Sequence, residues 1–513
     1  MKTIIAVLDK RGEDATGAVV RVLQALQTEH SEGFGVATPA TCLIEGDADA
    51  LQSQRVKSAV AVGYTFPKTL PQDKPQSAKL ENATLVFTGR IYSPTQKTSI
   101  AEVTAKKLEQ NRDKTIEDLF SEVEGDYAFI LTETDTITAG RDPIGVQPLY
   151  YGENRNVAAL AANRKALWTL GIEKPQSFTP GHLAVVSREG FKFKPAKTLV
   201  YAKPQSITMQ EAAETLQKLL ENSVRRRVLG LKEVAVAFSG GLDSSIIAFL
   251  AKKCSVNAHL IHVSLKNQTE TEEAKKAAEE LHLPIQVYLF EEEDVEKVVA
   301  KVVELIEEPD SVKTAIGVPF YWTAEKTAEA GFRVLLAGQG ADELFGGYQR
   351  YINDYLFHEK EEVRRNMFND VAKLHESNIE RDVKICSSHH VELRLPFASY
   401  AIADFALSLP LELKIEKKAD SLRKLVLRKA AENMGLPAVI AEKPKKAIQY
   451  STGINDALKK MAKRQNATVN EYVNKLFLNQ YSPDEGSNGL SEENRKSLNS
   501  LKRKRWMQQT KCG

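Results

Sequence analysis

Residues 233–253 read EVAVAFSGGLDSSIIAFLAKK. An apolar β-run stops at Ser239-Gly240-Gly241-Leu242-Asp243-Ser244-Ser245 and resumes with apolar residues at helical spacing, which predicts a strand, a tight loop and a helix. Two adjacent glycines let backbone N–H groups turn toward a ligand without a Cβ in the way. The hydroxyls of Ser239, Ser244 and Ser245 add donors, and the helix start adds the positive end of its dipole. Such a loop suits phosphate or pyrophosphate. Asp243 would repel a bare polyanion, so its presence predicts a Mg²⁺ shared between the carboxylate and the phosphates. No G-x-x-x-x-G-K-[ST] pattern occurs, so this is not a Walker A loop. The plain alternative is a glycine turn capped by Asp or Ser.

Around this segment the pattern alternates. A helix from Met209 (MQEAAETLQKLLENSVRRRV) precedes it. After it come a strand at His259–Leu265, a helix at Glu272–His282, a strand at Ile285–Phe290, a helix to Ile306, a helix at Tyr321–Ala330 and a strand at Arg333–Ala337. The series predicts a doubly wound α/β parallel sheet, followed from about 350 to 513 by a helical, charged part. Ligands of such sheets sit at the carboxyl ends of the strands, so SGGLDSS, Val263-Ser264 and the stretch from Gly338 should meet in one crevice. That last stretch, GQGADELFGGYQRY (338–351), carries Gly338 and Gly340 for close backbone approach. It also carries Asp342, whose carboxylate would face Asp243 to form a Mg²⁺ and phosphate clamp. Alternatively, Asp342 and Glu343 only begin a helix at its favoured acidic end.

Residues 1 to about 205 predict a separate α+β domain. Strands are expected at Thr3–Leu8, Ser58–Val62, Thr84–Phe87, Tyr127–Leu131 and His182–Ser187, and helices near Ala18–Glu29 and Ile100–Gln110. Pro195–Ile207 makes a linker, giving domains at 1–205 and 206–513. A length of 513 residues fits two large domains. With 42% hydrophobic and 27% charged residues and a net charge of +2, the chain reads as soluble and globular, with neither membrane nor nucleic acid implied. Cys42, Cys254, Cys386 and Cys512 lack C-x-x-C spacing and are expected to be free thiols in a reducing cytosol. The start, MKTIIAVLDKRGED, turns charged by Asp9, too soon for a signal segment, so a cytoplasmic location is expected. The basic end LKRKRWMQQTKCG reads as a solvated tail.

SGGLDSS resembles the pyrophosphate loop of enzymes that split ATP into AMP and pyrophosphate, and together with GQGADE it resembles the synthetase domain of the asparagine synthetase family. The likeness continues through Glu380-Arg381-Asp382-Val383-Lys384, VELRLPF (391–397) and KPKKAIQY (443–450). GDYAFILTETDTITAGRDPIGVQPLYYG (125–152), ANRKALWTLGI (162–172) and PGHL (180–183) resemble the glutaminase domain of that family, of the Ntn-hydrolase type. The resemblance implies that a carboxylate attacks ATP to give an acyl-adenylate and pyrophosphate, and that ammonia then displaces AMP. It implies ATP and Mg²⁺ as cofactors, with Ser239, Gly240, Gly241, Leu242, Ser244 and Ser245 around the phosphates. Asp243 and Asp342 would be metal ligands, Lys445 (with Lys446 next) would offset phosphate charge, and backbone groups at Val263 and Gly338 would frame the adenine. Gln339 sits where characterised members carry a glutamate proposed to take a proton from ammonia. An amide is a poor base but can orient a nucleophile.

The glutaminase half departs from the family. Its nucleophile is a cysteine at the mature amino terminus, whereas position 2 here is Lys2, beside which Met1 is expected to stay, and Cys42 is internal. Thr88-Gly89-Arg90 replaces Asn-Gly-Glu, and Tyr64-Thr65-Phe66 replaces a segment carrying a glutamine-binding arginine. The expectation is a retained fold without glutamine hydrolysis, using a small carboxylate such as aspartate and ammonia from solution or from a separate glutaminase subunit. A homodimer stays open. Rival expectations are a ligase or cyclase acting on another carboxylate, and a regulatory subunit of an active synthetase. A tRNA-acting enzyme is disfavoured by the near-neutral charge.

Overall fold

The computed structural model describes residues 3–27, 33–54, 56–66, 68–70, 73–92, 100–443 and 453–481. In the first two hundred residues the strands are β1 (Ile4–Asp9), β2 (Phe34–Ala37), β3 (Cys42–Glu45), β4 (Val60–Thr65), β5 (Ser77–Lys79), β6 (Thr84–Ile91), β7 (Gly125–Thr132), β8 (Ile137–Arg141), β9 (Tyr150–Glu153), β10 (Val157–Ala161), β11 (Gln176–Ser177), β12 (His182–Ser187) and β13 (Gly190–Pro195). They form two antiparallel sheets, ordered β11-β9-β10-β1-β4-β2-β3 and β13-β12-β8-β7-β6-β5. Strand alternation decides the layers. In β1, Ile4, Ala6 and Leu8 pack against Val86, Ala128 and Ile130 of the second sheet, while Ile5 and Val7 pack toward Val19 and Leu23 of the helix Thr16–Ala25. On its outer face the second sheet buries Leu85, Phe87 and Phe129 against the helices Ile100–Gln110 and Arg112–Glu122. This part is therefore four layers, helix–sheet–sheet–helix. All five predicted strands are present, with bounds shifted by a few residues.

Farther along, β14 (Glu233–Ala237), β15 (Asn257–Leu265), β16 (Ile285–Phe290), β17 (Val334–Leu336) and β18 (Glu392–Arg394) form an all-parallel sheet in the order β16-β15-β14-β17-β18. The fifth strand, β18, was not expected: three residues inside the VELRLPF stretch are too few to carry periodicity. The helix expected at Tyr321–Ala330 is longer, Ser311–Glu329, with Pro319 in its interior. Pro319 hides the first half of that helix from a sequence reading because a proline inside a helix removes an N–H and crowds the preceding turn. β14 is central, with β15 on one side and β17 on the other, so the loops after β14 and β17 flank the topological switch point.

The two halves are joined by buried charges. Glu307, 3% exposed, accepts the backbone N–H of Arg164 (2.7 Å) and of Lys165 (3.2 Å), capping the helix Arg164–Thr169 of the amino-terminal part. The same carboxylate accepts from Lys384 Nζ at 2.7 Å. Glu307→Ala would leave the Lys384 ammonium buried without its partner. It is expected to cost about 3–5 kcal/mol, read as a lower midpoint in urea or thermal unfolding.

Candidate active site

The loop after β14 is closed on itself. Gly241 N–H donates to Ser239 Oγ (3.3 Å), and Ser244 Oγ donates to Gly241 O (3.2 Å) and accepts from Ser239 N–H (3.3 Å). Gly240 has φ +67°, and a Cβ there would lie 2.7 Å from Ala274 Cα, so only glycine fits. Gly241 is the N-cap of the helix Leu242–Lys253 and offers no side-chain acceptor, which leaves the first N–H groups directed at the loop mouth. Leu242 packs into the core, and Ser245 is fully buried with an Oγ that meets no protein partner. Ser239 is exposed at the loop mouth and Gly241 half-buried behind it, while Gly240, Ser244 and Ser245 are buried beneath. Val263 lies near the carboxyl end of β15, two residues past the last pairing with β14 (Ala237 with Ile261). Gly338 follows β17, and a Cβ on it would sit 3.0 Å from Asp243 Cβ.

Asp243 and Asp342 do converge, and a residue that the sequence reading passed over joins them. Lys424, 2% exposed, has its Nζ 2.6 Å from both oxygens of Asp243 and 2.6 Å from Oδ1 of Asp342. The carboxylate oxygens are therefore no farther apart than twice that distance. Lys424 has φ +62° and immediately precedes the helix Leu425–Met434. A cation at a helix N-terminus opposes the dipole, so its position needs a strong local reason, and the two carboxylates supply one. Nothing in SLRKLVLRK marks it beyond that unfavourable placement. The donor set suits Mg²⁺: two carboxylates with exposed fractions of 18% and 16%, beside hydroxyls and an open helix start. Among the described residues no cluster of three or more His, Cys, Asp or Glu is built to hold a metal alone. A Mg²⁺ here would complete its shell with phosphate oxygens and water, its usual habit.

Gln339 does not stand alone either. Its Nε2 donates to Asp382 Oδ2 at 2.8 Å, and Arg381 holds the same carboxylate through Nε (2.7 Å) and Nη2 (3.0 Å). Burial raises the Asp382 pKa above the ordinary range, with Arg381 and Gln339 pulling it back. Lys443 Nζ donates to Gly240 O (3.3 Å) and lies 3.0 Å from Glu273. Lys445 and Lys446, Lys2 and Cys512 lie outside the described residues.

The altered glutaminase segment opens onto a different space. A cavity of about 610 Å³ between the two halves is lined by Gly89, Arg90, Tyr92, Asp126, Lys384 and Leu393 among others. Arg90 is spent on protein partners there: Nη2 lies 2.8 Å from Asp73, and Nε and Nη2 donate to Glu392 of β18 at 2.5 and 2.9 Å.

Gly347 tests the packing of the carboxylate pair. A Cβ there would come to 1.9 Å from Asp342 Oδ1 and 2.4 Å from Lys424 Cε. Gly347→Ala must push the pair aside and is expected to cost about 1–3 kcal/mol, measured as a fall in the thermal midpoint.

The pattern of the asparagine synthase family matches residues 215–361 and 352–508, and that of a glutamine amidotransferase domain matches residues 72–169. A putative glutamine-hydrolysing asparagine synthetase of Methanocaldococcus jannaschii is 33% identical over 413 residues, covering 70% of this chain and 75% of that protein. The glutamine-hydrolysing asparagine synthetase of Asparagus officinalis is 28% identical over 357 residues, covering 66% of this chain and 59% of its own length. Among solved structures, a B. subtilis glutamine phosphoribosylpyrophosphate amidotransferase aligns with 56% of this chain and 65% of its own at 17% identity and a TM-score of 0.33. No described helix is long and apolar enough to cross a membrane. The chain belongs to the asparagine synthase family and is an ATP-dependent carbon–nitrogen ligase.

Proposed function

We propose that this ligase activates a small carboxylate, aspartate first, as an acyl-adenylate and amidates it with free ammonia, without hydrolysing glutamine itself. We assign residues 206–513 to the synthetase and residues 1–205 to a glutaminase-like scaffold, in a cytoplasmic enzyme. The observation that carries this reading is the convergence of Asp243, Asp342 and Lys424 on an open helix N-terminus at the carboxyl end of a parallel sheet. In this reading the N–H groups after Gly241 and the hydroxyls of Ser239 and Ser244 bind the pyrophosphate that leaves. Lys424 offsets its charge, joined by Lys445 from outside the described residues. Asp243 and Asp342 would hold a Mg²⁺, which when bound neutralises charge on the phosphates. Val263 and Gly338 frame the adenine.

For the second step we assign the proton to Asp382, with Gln339, which donates to that carboxylate, orienting the ammonia beside it. Arg90, bonded to Asp73 and Glu392, stands where the resemblance would place an acid, which supports a glutaminase fold without its chemistry. The deciding experiment incubates the protein with ATP, Mg²⁺, aspartate and ammonium, and follows pyrophosphate and asparagine together. Asparagine equal to pyrophosphate supports the reading. Glutamate released from glutamine at the rate of synthesis overturns the ammonia-only part, and pyrophosphate released only with another carboxylate transfers the reading to that acceptor.

Asp243→Asn or Asp342→Asn removes a negative ligand and should cost several kcal/mol in the transition state. We expect pyrophosphate release to fall about 10³-fold or more with the circular dichroism spectrum unchanged. Gln339→Ala should slow amide formation more than ATP cleavage, because attack on ATP needs no base at this position. Gln339→Glu would face Asp382 across a 2.8 Å contact and share a proton with it, so the acid limb of the ammonia-dependent rate should move to higher pH. Equal losses with and without ammonium in both variants would assign Gln339 to ATP binding.

A further inference from the structure

The helix Glu380–Ser388 carries Asp382 on one side and is seated on the amino-terminal sheets by the other. Residues two apart on a helix point to nearly opposite sides, about 200° around the axis. Glu380 uses that geometry: 3% exposed, it accepts from Ser177 Oγ (2.7 Å), from Arg141 Nη2 (3.1 Å) and from the Tyr150 hydroxyl. Arg141 is fully buried, and its remaining N–H groups go to the carbonyls of Gln147 (2.7 Å), Phe178 (2.8 Å) and Gly145 (2.6 Å) and to Ser177 Oγ (3.1 Å), so it has no freedom to follow a moving partner. Burial alone would push the Glu380 carboxyl up. Arg141 first, then His375, Arg164 and Lys384, bring it down to about 2, so it is ionised and strongly held.

The approach to this helix is constrained as well. A π-helical turn, His375–Ile379, runs directly into it, a winding that is rare and is found mostly as single turns within helices. Gly145 of the amino-terminal part packs against the turn so closely that a Cβ would lie 2.9 Å from His375 Cβ. From the same turn Asn378 Nδ2 donates to Glu343 Oε1 (2.7 Å), the residue after Asp342. Two contiguous links thus run from the amino-terminal sheets to the crevice: Arg141 and Ser177 through Glu380 to Asp382 and Gln339, and Gly145 through the turn to Glu343.

We infer that Arg141, Ser177 and Glu380 are positioning residues of the synthetase site: the amino-terminal sheets seat the helix that holds Asp382 against Gln339. This rests on the reading above that Gln339 and Asp382 serve the amidation step. The consequence is a reason to keep the amino-terminal fold that does not involve glutamine.

The test uses the full chain with Ser177→Ala, which removes the hydroxyl that donates to Glu380 and accepts from Arg141 while leaving the direct Arg141–Glu380 contact, Ser177→Thr, which returns a hydroxyl, and Glu380→Gln as the stronger change. Backbone hydrogen exchange is read in the peptides 338–347 and 380–388, with 242–253 as the control. For Ser177→Ala we expect exchange in both test peptides to rise together, the control to stay unchanged, and kcat with ammonium to fall about tenfold while KM for ATP stays within about twofold. Ser177→Thr should restore most of the loss. Unchanged exchange in 338–347, or raised exchange with an unchanged kcat, overturns the inference. If Glu380→Gln does not fold, the serine pair decides. Failure of the underlying functional reading looks different: the unsubstituted protein then shows no ammonium-dependent ATP cleavage, while the exchange data still decide whether the seat is coupled to the loop.

Discussion

Two carboxylates aimed at one another from neighbouring strand ends repel strongly once water is thinned out, and the crevice of this protein is organised around that constraint. Lys424 resolves it with one ammonium 2.6 Å from each carboxylate. The rest of the site follows. Gly338 is needed because Asp243 lies against its backbone, and Gly347 because Asp342 and Lys424 fill the space a side chain would take. The helix Leu425–Met434 must return to the carboxyl end of the sheet and begin with a left-handed lysine, a conformation that non-glycine residues adopt at some cost. A fixed cation in this place also means that the phosphate loop need not be strongly basic, which fits a chain whose net charge is only +2.

The interface between the halves uses the same kind of solution at larger scale. Arg90 with Glu392, Arg227 with Glu124 and Asp126, and Arg141 with Glu380 cross it, while Glu307, paired with Lys384 on its own side, reaches the N–H groups of Arg164 and Lys165; all are largely buried. Buried pairs give little net stability, because desolvation offsets most of the attraction. Their geometric demand is high, since each carboxylate has its partners at defined distances and a slipped interface would strand a charge. Burial raises Asp126 to about 7, in spite of Arg227 beside it. Apolar contact would tolerate sliding of the two halves, whereas this arrangement sets one register.

The sequence made the strand, tight turn and helix around 239–245 and the approach of Asp342 to Asp243 legible because glycine, serine and aspartate sit in a local order that only a few backbone geometries accommodate. The helix Met209–Val228 and the strand Ile285–Phe290 fall where periodicity placed them, since both are long enough for their apolar pattern to repeat. Short edge and hairpin strands such as β3, β5 and β11 escaped, having two to four residues each. Lys424 escaped for a different reason. Its role is set by residues 181 positions upstream in Asp243 and closer by in Asp342, and a long-range contact leaves no periodic trace. Asp382 stood inside a recognised stretch, but its link to Gln339 depends on how one helix is seated, which no local pattern encodes.

That seating gives the amino-terminal fold a structural part in the molecule apart from any chemistry of its own. Where the family resemblance implies a glutaminase acid, Arg90 instead bolts the amino-terminal sheets to β18 of the synthetase sheet. Arg141 and Ser177 hold the first residue of the helix whose third residue meets Gln339. These contacts do not depend on any nucleophile, and deleting the sheets would expose Glu380, Glu307 and Lys384 together. Glu380 would then lose Arg141 and Ser177, Glu307 would lose the N–H groups of Arg164 and Lys165, and the turn His375–Ile379 would lose the Gly145 surface packed against it. The amino-terminal half is therefore retained by the mechanics of the synthetase half, whatever the source of its ammonia.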